Sequence, residues 1–180
     1  MPIYKPGILI LGVLIQSAIG LDLTRVSGAA GEDVVDAVLQ QITDSEFLKD
    51  DKQFLKRLAL VTSGYGRQHI TYSDIRFHGG IWRIDEAKFL EAYNTSIMNR
   101  IIDRMELKID SWQSARKPLI SGISTAVFLD KLQRIEPVPL DIDEQADYFG
   151  KHFGSPLNKT NEDFSKAVFK ELQSVKSTQV

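Results

Sequence analysis

The stretch from Pro118 to about Ile135, PLISGISTAVFLDKLQRI, constrains the fold most. Leu119, Ile120, Ile123, Ala126, Val127, Leu129 and Leu132 recur at helical spacing and wrap more than one face of the helix they imply. A helix that is apolar on more than one side must be covered on more than one side. It therefore belongs near the centre of a core, with other helices around it. Pro118 suits its first turn, where the missing N–H would have no partner anyway. Pro137 and Pro139 end it and form an extended connector.

The rest of the chain supplies the cover. Helix formers dominate and no alternating Val/Ile/Thr runs stand out, so the expected class is an all-α domain. A first helix is expected over Asp33 to Ile42, with Val34, Val35, Val38, Leu39 and Ile42 as its stripe. A second runs from about Asp51 to Thr62, with Phe54, Leu55, Leu58, Ala59 and Val61 inward and Asp50 or Asp51 as N-cap. Asp85 to Tyr93 and Ser96 to Leu107 follow, the latter with Ile97, Ile101, Ile102 and Met105 at helical spacing. Asp143 to Phe153 is another, stopped by Gly154 and Pro156. Thr160 to Asp163 resembles a capping box that opens a last helix with Phe164, Ala167, Val168 and Leu172.

Residues 1–20 have the layout of a signal peptide. Lys5 gives the positive start, Gly7 to Ile15 the apolar run, and Ala18-Ile19-Gly20 the small residues at which a leader is cut. That run is shorter than the roughly 18–20 residues a membrane span needs. The sequons Asn94-Thr95-Ser96 and Asn158-Lys159-Thr160 fall in expected turns and are the candidate glycosylation sites. The expected layout is a leader peptide over 1–20, a flexible segment over 21–32, one helical domain over 33–174 and a disordered tail over 175–180. The expected destination is extracellular, with no membrane span once the leader is removed. With no cysteine in the sequence, packing alone must hold such a secreted fold.

Composition excludes several chemistries. A net charge of −2 without a basic block gives no pull toward nucleic acid. His69, His78 and His152 lack metal-ligand spacing, and there is no phosphate-binding glycine loop, so neither a metal nor a cofactor is expected. Ser63 with His69 or His78 has no nucleophile-elbow context. What remains is the irregular stretch after the second helix, which holds Ser63, Gly64, Tyr65, Gly66, His69, Tyr72, Asp74, Arg76 and His78. A long polar loop bearing aromatics inside a compact domain is more often functional than idle. Gly79-Gly80 allows a tight turn or a close approach to a ligand. Trp82, just after it, either offers a flat face to a sugar ring or plugs the core.

These residues carry a resemblance. Phe54 to Val61, then Ser63-Gly64-Tyr65-Gly66, and later Phe77-His78-Gly79-Gly80-Ile81-Trp82 with Ile84-Asp85-Glu86, resemble a domain of secreted invertebrate proteins. That domain is itself similar to the lysozyme and lytic transglycosylase superfamily. Lys117-Pro118-Leu119 and Gln145-Ala146-Asp147-Tyr148-Phe149 match its later parts, so the resemblance spans roughly Asp33 to Phe164. It implies a helical fold with a saccharide cleft between two lobes. It also implies a catalytic Glu directly before the Ser that matches Ser63, and here Thr62 stands in that place. Arg83 stands where the family's turn carries Gln.

Glycosidic cleavage needs a carboxyl group able to protonate the leaving oxygen, and a threonine hydroxyl does not release its proton near neutral pH. Loss of a general acid costs about 10²–10⁴-fold in rate. Asp74 and Asp85 are weak substitutes, and Asp85 fits better as the cap of the helix that follows. The expectation is thus a secreted lysozyme-like protein with impaired catalysis. Its glycan cleft would be lined by Tyr65, Tyr72, His78, Trp82 and Arg83, and its partner would be an oligosaccharide or a peptidoglycan-like glycan. The alternatives are a structural component of an extracellular matrix or secretion, and an active glycosidase that uses Asp74 or Asp85.

Overall fold

The computed structural model describes residues 21–49, 51–72, 77, 79–154 and 160–178. The expected signal peptide, Asp50, Asp74, Arg76, His78 and Asn158 lie outside them. Among the described residues the chain is all-α, with seven α-helices and no strand. They are α1 (Glu32–Asp44), α2 (Lys52–Ser63), α3 (Glu86–Tyr93), α4 (Ser96–Met105), α5 (Pro118–Gln133), α6 (Ile142–Phe149) and α7 (Asn161–Thr178). None of the described helices is long and apolar enough to cross a membrane.

Helix α5 is the axis of the fold, as its all-round apolar pattern requires. Every residue from Pro118 to Leu129 is buried. Helices α1, α3 and α4 and the 3-10 turn Trp112–Arg116 pack around it. Helix α2 lies against α1 and α7, and α6 against α7. A second, aromatic part of the core joins these last elements. Phe54 of α2 meets Tyr148 edge-on at 5.6 Å and Phe164 at 6.1 Å, and Phe149 meets Phe164 at 5.2 Å. On the solvent side Lys56 of α2 pairs with Glu32 at 2.9 Å and with Asp36 at 2.7 Å, both on α1.

The caps follow the sequence. Asp85 accepts from Lys88 N at 2.9 Å, Thr95 from Met98 N at 3.1 Å, and Asp141 from Asp143 N at 2.9 Å. Thr160 and Asp163 cap each other's backbone N–H at 2.8 and 3.2 Å. Asp51 occupies the N-cap of α2 without a side-chain cap bond, and its carboxylate takes the Gln133 amide instead.

Three boundaries differ from expectation. The segment over 21–32 is not loose. Leu23–Arg25 forms a 3-10 turn that packs on α1 and α5, Thr24 is buried, and Gln41 Nε2 donates to its hydroxyl at 3.0 Å. Asp22 caps that turn and Arg25 reaches Met105 O at 2.9 Å, so hydrogen bonds to residues distant in sequence dock what composition leaves featureless. Helix α6 stops at Phe149, and Gly150–Gly154 widens into a π turn. A Cβ at Gly150 would stand 1.8 Å from Asn161 Oδ1, so the start of α7 presses on the chain there. Helical backbone continues to Thr178, into the expected disordered tail over 175–180, with no Gly or Pro after Asn161 to stop it.

Gly122 lets α5 approach the residues it covers. A Cβ there would lie 2.5 Å from Val38 Cγ1 and 3.1 Å from the Trp82 ring. Gly→Ala inside a helix ordinarily gains about 1 kcal/mol, but overpacking a filled core costs about 1–3 kcal/mol. Gly122→Ala is therefore expected to destabilise the fold despite its better helix propensity, with a lowered urea midpoint and an unchanged denaturant slope as the readout.

Candidate functional site

Helix α2 ends where the backbone turns left-handed. Gly64, Tyr65 and Gly66 have φ of 58°, 59° and 81°. The last two residues of the helix are hydroxyl-bearing and fully buried. Ser63 Oγ donates to Ile81 O at 2.6 Å and accepts from Gly66 N at 2.7 Å. Thr62 Oγ1 lies 2.8 Å from Leu58 O and 3.0 Å from Ile81 O, so its single proton is always directed at a main-chain carbonyl. The position expected to hold a general acid is thus a buried hydroxyl that fastens α2 to the turn over 79–84.

That turn is clamped from α5 and from the Trp112–Arg116 segment as well. Ser121 Oγ donates to Gly79 O at 2.6 Å and receives Trp82 N at 3.3 Å. Trp112 Nε1 donates to Ile84 O at 2.8 Å. Gly79 and Gly80 have φ of 82° and 75°, and their missing side chains make room for protein backbone. A Cβ at 79 would meet Ile84 O at 1.8 Å, and one at 80 would meet Ala115 O at 2.1 Å. The close approach foreseen for this Gly-Gly pair is made by the chain itself.

Trp82 is corrected by this geometry. It is 1% exposed, its ring lies over Gly122, and its Nε1 donates to Leu55 O at 2.8 Å. It fills the core under the turn and presents no face for a sugar to stack on. Tyr65 is also buried, and its hydroxyl donates to the Glu171 carboxylate of α7. Tyr72 is half-buried in the 3-10 turn His69–Tyr72 and donates to Ala29 O at 2.8 Å. Arg83 is 7% exposed and holds a left-handed φ of 50°. Asp85 caps α3 and forms an ion pair with Lys88. Asn94 is exposed at the end of α3, accessible to a glycan.

The structure thus brings Thr62, Trp82 and Arg83 to one turn, with Tyr65 and Tyr72 bonded to other parts of the chain. Cavities open elsewhere among the described residues, two of them as follows. One, of about 230 Å³, is lined by Arg25, Leu107, Lys108 and Lys117. The other, of about 480 Å³, is lined by Lys52, Phe54, Val138 and Leu140. Among the described residues no three His, Asp or Glu side chains converge to hold a metal ion.

Sequence reasoning missed Ser121 and Glu171. A serine in the most apolar helix was the available signal for the first. Nothing local signals the second, which reaches its partner across 106 residues. No family model matches the chain, and neither curated proteins nor solved structures yield a match.

Burial, followed by the hydrogen bond to Glu171 and the charges of Glu171, Glu32 and Asp36, holds the Tyr65 hydroxyl protonated well above its ordinary range. Burial does the same at Tyr72, and burial with the charges of Glu136 and Asp51 pushes Tyr148 up to about 12. An unfolded tyrosine ionises near pH ~10. Above that pH the unfolded chain sheds protons that the folded chain keeps, so this contribution is intact below about pH 10 and falls as pH rises. Alkaline titration followed at 295 nm should show these three phenols ionising together with the loss of helical circular dichroism, not ahead of it.

A second test concerns the clamp. Ser63→Ala leaves the Ile81 carbonyl and the Gly66 N–H with poorer partners in a buried site, a loss of about 1–3 kcal/mol in chemical denaturation.

Proposed function

We propose that this chain is a secreted, lysozyme-like protein that binds a saccharide without cleaving it. The observation that carries this reading is the state of Thr62. It occupies the place where the resemblance puts the catalytic Glu, and it is fully buried with its hydroxyl committed to main-chain carbonyls. A general acid has to reach the bond it protonates and hold a proton it can release. This side chain does neither. Asp85, the one substitute among the described residues, is occupied as a helix cap and as the partner of Lys88, which supports the non-catalytic reading over a glycosidase that uses it.

In this reading recognition centres on the turn over 79–84, which is itself buried, with Arg83 7% exposed and Trp82 holding the turn from beneath. The exposed Asn94 sequon suits an extracellular destination. Without cysteine, burial from several sides around α5 has to supply the stability that disulfides give smaller secreted domains.

The test pairs binding with turnover. Purified protein is expected to bind in an oligosaccharide array that includes peptidoglycan fragments, and to release no muropeptides and no new reducing ends from the same material. Turnover at ordinary enzyme rates, about 1 s⁻¹ or more, would remove the non-catalytic half of the proposal. A blank array would remove the binding half.

A further inference from the structure

Arg83 is the one residue of the turn that nothing in the described structure explains. It is 7% exposed, and its Nε is buried without a hydrogen-bond partner. Among the described residues no carboxylate forms an ion pair with it, whereas Lys56, Lys88 and Lys131 each have one. Burial lowers its pKa from the usual arginine value, but a guanidinium remains protonated at any physiological pH.

The side chain is also poorly placed to escape. Its own N–H donates to Gly80 O at 3.1 Å, its backbone is left-handed, and Trp82 and Ile84 on either side are buried. A buried donor without a partner is costly, and native proteins almost always satisfy such a group. A guanidinium offers a planar fork of donors that matches the two oxygens of a carboxylate or the face of a sulfate.

We infer that Arg83 receives an anionic group, the carboxylate or sulfate of an acidic saccharide. The anion site stands on the burial and missing partner of Arg83, and its assignment to a saccharide rests on the function proposed above. The chain as a whole is acidic, at net −2, so long-range attraction does not draw such a ligand.

The test is thermal unfolding of the whole chain, wild type against Arg83→Gln and Arg83→Lys, at matched ionic strength. Added in turn are chloride, acetate, sulfate, a uronate-containing oligosaccharide, a sulfated one, and a neutral one of the same length. Without ligand, Arg83→Gln should melt at the same temperature as the wild type or higher, because a buried donor without a partner has been removed. Acetate or sulfate should raise the wild-type melting temperature above that in chloride, and an acidic oligosaccharide should do so at lower concentration than the neutral one. Arg83→Gln should lose both responses, and Arg83→Lys should keep a weakened one.

A Gln variant that melts lower and responds to anions as the wild type does would make Arg83 a structural residue and overturn the inference. A response to small anions with none to acidic oligosaccharides would uphold the anion site and sink the saccharide assignment. Equal binding of neutral and acidic oligosaccharides by wild type and Arg83→Gln would uphold the proposed function and sink the role given to Arg83.

Discussion

The turn over 79–84 is a piece of irregular backbone in the interior, and the fold depends on satisfying it. Buried carbonyls and amides must be paired, and a turn cannot pair its own as a helix does. Here the partners come from three directions: Thr62 and Ser63 at the end of α2, Ser121 in the first part of α5, and the indole of Trp112. Each such bond contributes only about 1 kcal/mol net, but an unmade one in a buried site costs more than a made one returns. The turn, the end of α2 and the start of α5 therefore form or fail together.

The remaining elements are fastened to that centre by ordinary packing and by a few long connections. Gly122 permits α5 to sit on Val38 and Trp82, so one glycine sets the depth at which the central helix lies. The aromatic cluster of Phe54, Tyr148, Phe149 and Phe164 holds α6 and α7 to α2. Tyr65 carries the connection on to α7 through Glu171, placing a phenol and a carboxylate where α2 has just ended.

Much of the scaffold was legible because it is written in local spacing. The apolar stripes of α1, α2, α4 and α5, the caps Asp85 and Thr160, and the central place of α5 all follow from residues within a few turns of one another. The site was less legible because burial there is decided from a distance. Whether Trp82 faces solvent or core depends on a gap at Gly122, forty positions later. The end of α2 could be read, but not that Thr62 would face Ile81 across the turn. Gly79-Gly80 signalled a close approach without saying what approaches. The segment over 21–32 shows the same limit, since Thr24 gains its order from Gln41 on a helix not yet formed.

The chain contains two tryptophans, and both indoles are tied to the same few residues: Trp82 lies within the turn and donates out of it, and Trp112 donates into it. Intrinsic fluorescence from this protein is consequently a local gauge and not a global average. Its emission colour reports whether that single loop is shut, and fraying of α7 or of the chain ends would pass optically unseen.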